Sequence, residues 1–165
     1  MPEPGLRAPV VVLACGNPSR GDDAIGPLLL DRLRRWLATE RMGAGFELIE
    51  DFQLQIEHAL DLEGRTAAIF IDAGEATPAP YCAARVVPDD APGHSTHAIT
   101  PGAVLAVYQR VVGSEPPPAF VLCVRGEAFD LGEGLSVAAA GHLELAWVAL
   151  QRLCRESLAG CVEGS

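Results

Sequence analysis

VVVLACGNPSRGDDAIGPLLLDRL, running from Val10 to Leu33, is the stretch whose reading decides the fold. Val10 to Cys15 is an unbroken apolar run rich in β-branched side chains that stops at Gly16, the pattern of a strand buried on both faces. After the loop GNPSRGDD, Ile25, Leu28, Leu29, Leu33 and Trp36 recur at helical spacing as far as about Arg41. Strand, glycine-bearing loop and helix make the first half of a βαβ unit.

The rest of the chain repeats the alternation. Phe46 to Glu50 reads as a short strand after Gly43 and Gly45, and Leu54 to Leu62 as a short helix. Thr66 to Gly74 is the clearest central strand, apolar through Ile71 and closed by Asp72 at its carboxyl end, where open α/β sheets place their ligands. Tyr81 to Val87 is a further strand, followed by a polar loop that holds His94 and, just beyond it, His97. Thr100 reads as an N-cap with Pro101 at the first helical position, leading a helix to about Val112. Ala119 to Val124 is a strand, and a closing helix runs from near Ser136 to about Leu158. The order predicts an α/β protein: a three-layer α/β/α sandwich around a mostly parallel sheet of about five strands. The segment from Ala73 to Val87 leaves room for an antiparallel edge. One domain spans 1–165, with 1–8 and about 159–165 as tails.

Composition narrows the functions. Apolar residues make up 49% of the chain and aromatic ones only 5%, so the core is built from Val, Leu, Ile and Ala. Twelve basic and 22 acidic residues give a net charge of −10, which repels a phosphate backbone and argues against nucleic acid as a partner. The five cysteines are scattered without a C-x-x-C pair, so neither a disulfide framework nor a zinc knuckle is indicated, and a reducing compartment is expected. Cys15, Cys82 and Cys123 lie in or beside apolar runs, where a thiol behaves as a small buried hydrophobe. The N-terminus MPEPGLRAP lacks the form of a signal peptide and no segment reaches the uncharged length of a membrane span, so a cytoplasmic protein is expected, and its small size without a long apolar surface helix makes a monomer the expectation.

The candidate chemistry gathers at strand ends. The loop between the first strand and helix is no phosphate cradle, because it ends in Asp22 and Asp23 where a phosphate would sit. One of the two acids is explicable as an N-cap. Glu57 and Asp61, four residues apart on the short helix, therefore share a face, with His58 beside them. They are a solvated face or a pair of ligands. His94 and His97 are exposed loop histidines or imidazole ligands, and carboxylates with imidazole from separate loops suit a borderline metal, nickel included. Ser19, Ser95 and Ser136 lack a nucleophile elbow and no cysteine adjoins a histidine, which disfavours a serine or cysteine hydrolase. Ser136, after Gly132-Glu133-Gly134, reads as the cap of the last helix.

Four motifs in order resemble the hydrogenase maturation proteases: GNPSRGDDAIGPLLLDRL, with Gly16, Asn17, Asp22, Asp23 and Gly26; QLQIEHALDLEGRTAAIFIDA; the SxHAITPGAVL form of Ser95, His97 and Pro101; and FDLGEGLS. The resemblance implies an endopeptidase that trims the C-terminus of a nickel-containing hydrogenase large-subunit precursor, recognising nickel supplied by that substrate and using no organic cofactor. It implies Asp23, Asp61 and His97 as the metal-contacting residues, with Glu57 and His94 as rivals and Asp72 as the base or an orienting acid. Two other classes stay open, a non-enzymatic docking factor for hydrogenase assembly and a metal-dependent aminopeptidase-like hydrolase.

Overall fold

The computed structural model describes residues 6–89 and 99–163. Five strands, β1 (Val10–Cys15), β2 (Phe46–Asp51), β3 (Ala67–Gly74), β4 (Tyr81–Val86) and β5 (Ala119–Arg125), form one sheet in the order β2-β1-β3-β5-β4. All neighbours pair in parallel except β4, which runs antiparallel to β5 at the edge. Helices α1 (Ile25–Thr39) and α3 (Val137–Glu163) pack on one face. Helix α2 (Pro101–Val112) and a 3-10 helix over Ile56–Leu62 pack on the other.

The side-chain alternation of β1 shows why its run is apolar throughout. Val10, Val12 and Ala14 join Leu29, Leu30, Leu33 and Trp147 on one face, while Val11 and Leu13 join Phe70, Leu105 and Tyr108 on the other. A strand in the middle of a three-layer sandwich has no polar face to offer.

Several element ends follow the sequence closely. Thr100 caps α2 by accepting the N–H of Ala103 through its hydroxyl at 3.1 Å, with Pro101 at the first position. Ser136 does the same for α3 through the N–H of Ala139 at 3.2 Å. Three expectations need correction. The short helix after β2 is a 3-10 helix, so Glu57 and Asp61 stand about a third of a turn apart rather than on one face. The chain expected to fray from about 159 continues as helix to Glu163. Cys82 is exposed, because it lies on the antiparallel edge strand, while Cys15 and Cys154 are buried.

Candidate functional site

The strand order fixes where a site can form. After β1 the chain leads outward to β2, and after β3 it leads the other way, to β4 at the far edge and back through α2 to β5, so the connections diverge above the carboxyl ends of β1 and β3. That crevice is the ligand position of open α/β sheets. The loop after β1 and the last residues of β3 form its walls.

Two glycines bring the walls close. Gly16 has φ +149, and a Cβ there would lie 2.0 Å from the Asp23 carbonyl oxygen. A Cβ on Gly26 would lie 2.4 Å from the carbonyl oxygen of Cys15. Only glycine at both places lets α1 start directly against the end of β1. The loop between them folds back, and the Asn17 N–H donates to Asp23 Oδ2 at 2.7 Å.

Neither Asp22 nor Asp23 is an N-cap. They lie within a single 3-10 turn, Gly21–Ala24, whose preceding residue makes no side-chain cap. Asp22 is completely buried and reaches across the molecule. Its Oδ2 accepts the N–H of Glu127 at 2.7 Å, the N–H of Ala128 at 2.9 Å and the Ser136 hydroxyl at 2.7 Å, and its Oδ1 accepts the Ser136 N–H at 2.7 Å. Burial alone would raise this carboxyl, but the N–H groups of Ser136, Glu127 and Ala128 and the Ser136 hydroxyl outweigh it and hold the group below the usual carboxylate value. Asp22 therefore ties the loop after β1 to the segment between β5 and α3.

Asp23 turns the other way, into a concavity of about 220 Å³ lined by Cys15, Phe52, Gln53, Asp72 and Ile99. Asp72 is open to solvent at the rim, yet protein surrounds it from below. The loss of water pushes its carboxyl up to about 6; the N–H of Ala73 opposes the rise and the negative charge of Asp23 adds to it. Cys15, beneath both, is nearly fully buried. Burial raises its thiol to about 12, with Asp72, Asp51 and Asp23 each adding to the rise. A thiol held that high stays protonated at neutral pH and is no nucleophile. Three carboxylates from three elements thus face the end of β1.

Asp51 and His58 were not singled out as site residues by the sequence. His58 Nδ1 accepts the Gln55 N–H at 2.9 Å, which puts the ring proton on Nε2, 3.4 Å from Asp51 Oδ2. A capping side chain on a 3-10 turn leaves no periodic signal, and only the fold brings it to the end of β2.

Asp61 requires the main correction. The 3-10 helix descends from the carboxyl edge of β2 toward the amino edge of β3, rising about 2.0 Å per residue. Its start lies near the crevice and its end does not. The Asp61 carboxylate stands 3.9 Å from Arg7, which precedes β1, and the Arg7 guanidinium also donates to the Leu60 and Glu63 carbonyls. Asp61 belongs to the amino edge, away from Asp23. Glu57 is exposed on the first turn of the same helix and does not line this concavity. His94 and His97 lie outside the described residues. Among the described residues, no three His, Cys, Asp or Glu side chains come together as a metal site. Asp23 and Asp72 are two oxygen donors that would need a partner's ligands to complete a coordination sphere.

No family model and no curated protein sequence matches the chain. Its fold does match solved structures. The hydrogenase maturating endopeptidase HybD from E. coli is 22% identical, with 92% of this chain and 94% of that one covered at a TM-score of 0.67. The [NiFe] hydrogenase maturation protease HycI from Thermococcus kodakarensis KOD1 is 21% identical, with 93% and 94% covered at a TM-score of 0.64. HybD from Thermococcus kodakarensis is 20% identical, with 90% and 99% covered at a TM-score of 0.60. The chain has the fold of these proteins over nearly its whole length.

Proposed function

We propose that this chain is a cytoplasmic, monomeric endopeptidase of the hydrogenase maturation type, which removes the C-terminal extension of a nickel-loaded large-subunit precursor. The observation that carries the proposal is the meeting of Asp23 and Asp72 at the topological switch point of a fold shared with solved hydrogenase maturation endopeptidases. Carboxylate and imidazole donors suit nickel. Two carboxylates make a poor site alone but are sufficient to dock a metal that arrives with its own ligands, so cleavage becomes conditional on loading. His97, two residues before Ile99 in the chain, is the proposed third donor, with His94 its rival.

Within this scheme Asp72 takes the place first given to Asp61. Asp23 is set by the Asn17 N–H and contacts the metal. Asp72, exposed on the opposite rim of the same concavity, is the second oxygen donor to it.

The test is intact mass spectrometry of a cognate precursor, nickel-loaded and nickel-free, incubated with the wild-type protein. Loss of one discrete C-terminal peptide from the loaded form alone is expected. Stable binding without cleavage would instead make the chain a docking factor, and chelator-sensitive cleavage of unrelated peptides would make it an aminopeptidase-like hydrolase.

A further inference from the structure

Next to the acidic concavity lies a second cavity of about 250 Å³, sunk between the sheet and the start of α2. Its walls are mainly apolar: Leu13, Leu54, Phe70, Ile99, Pro101 and Val121. The two hollows share Cys15, Leu54, Asp72 and Ile99, so they are neighbours separated by the rim on which Asp72 stands. A cavity of about 150 Å³ lined by such side chains already holds a benzene-sized apolar group. The sequence gives no reason for an apolar hollow to open beside two carboxylates, and the packing of the core does not require one.

We infer that this cavity is the specificity subsite of the enzyme and takes the apolar side chain of a residue directly flanking the scissile bond. The inference rests on the endopeptidase proposal above and adds a substrate class to it. Asp72 lines both hollows, so a peptide bond lying against it brings a neighbouring side chain beside the cavity. An apolar group of Val to Phe size fills it. An acidic group is excluded twice, by the apolar walls and by the negative charges of Asp72 and Asp23 at the entrance.

The experiment uses nickel-loaded precursors in which each residue flanking the scissile bond is changed in turn to Gly, Ala, Leu or Asp, with kcat/KM read from peptide release. At one of the two positions Leu is expected to exceed Asp by at least about 100-fold and Gly by about 10-fold or more, the discrimination range of an apolar pocket. Val121→Phe, which narrows the cavity without touching Asp23 or Asp72, should reverse the preference from Leu to Ala. Val121→Leu serves if the larger side chain fails to fold by thermal melt. Equal rates for Leu and Asp at both positions, or a folded Val121 variant with the wild-type ratios, would overturn the inference. A second readout separates it from the endopeptidase proposal: methyl NMR shifts of Leu13, Leu54 and Val121 with N-acetyl-leucine amide or N-acetyl-aspartate amide as probe. Shifts with the leucine probe alone, in a protein that cuts no precursor, would sink the endopeptidase proposal and keep the apolar site. No methyl shift with either probe overturns the site whether or not the precursor is cut.

Discussion

At the amino edge of the sheet the acids are matched with arginines. Asp61 faces Arg7, and Glu47 pairs with Arg65, whose buried guanidinium also donates to the Asp61 and Ala8 carbonyls. At the carboxyl edge, among the described residues, Asp23 and Asp72 have no arginine or histidine at ion-pair distance and stand near each other instead. Two like charges left together at a concave surface raise the energy of the empty protein, and a positively charged visitor relieves it. Asp22 is a third case, an acid satisfied by N–H groups and a hydroxyl rather than by a cation. The surroundings of each acid, more than its spacing in the chain, separate the functional carboxylates from the structural ones.

The strongest way to break this contrast is to remove the carboxyl-edge acids. Asp72→Ala and Asp23→Ala should each slow precursor cleavage by roughly 10²-fold or more, since losing even an outer partner of a metal site costs about 10–100-fold, with little change in thermal stability. Rates within a few-fold of wild type would remove these residues from the site.

Asp22→Ala should do the opposite. It strands buried N–H donors, each costing about 1–3 kcal/mol, so a loss of at least about 3 kcal/mol is expected, seen as a Tm drop of roughly 6–12 °C. Asp22→Asn should recover only part of it, because its amide NH₂ meets the Ser136 N–H. Since the folded carboxyl lies below its unfolded value, the stabilisation is present above about pH 4 and fades as pH falls through the lower folded value. Chemical denaturation of wild type and Asp22→Ala across that range should therefore converge at acid pH.

Asp72 carries the reverse sign. Its folded carboxyl is raised, so its contribution to stability declines as pH climbs from about 4 to about 6. Carboxyl NMR of the free protein should give a midpoint of about 6 for Asp72, moving down in Asp23→Asn as the like charge is removed. An Asp72 midpoint that ignores Asp23→Asn would mean the two acids do not sense each other.

The smallest effect belongs to Asp61→Ala. A pair at 3.9 Å with side chains 38% and 28% exposed contributes about 0–1 kcal/mol. Denaturation should detect a change of that order, and cleavage should stay at the wild-type rate.

The fold was legible because its signals are local. The apolar run of β1, the closing Asp72 of β3 and the Thr100-Pro101 start of α2 each announce an element within a few residues. The pairing of Asp23 with Asp72 needed more, since the two lie 49 positions apart and only the strand order makes them neighbours. Asp61 was misplaced for a related reason. The resemblance reaches Asp61 by counting back along the chain from Asp72, and spacing only sets it on a shared α-helical face with Glu57, whereas the longer rise of a 3-10 helix carries it down to Arg7. Asp22 and Asp23 look interchangeable in the chain, and what separates them is a loop more than a hundred residues away that delivers three N–H groups to one and none to the other.

The most direct test sets the two edges against each other in a single assay: intact mass of a nickel-loaded large-subunit precursor incubated with wild type, Asp72→Ala or Asp61→Ala. Release of the C-terminal peptide by wild type and Asp61→Ala, and its retention with Asp72→Ala, is the expected result. Cleavage by Asp72→Ala together with failure of Asp61→Ala would contradict the account and move the site to the other edge of the sheet.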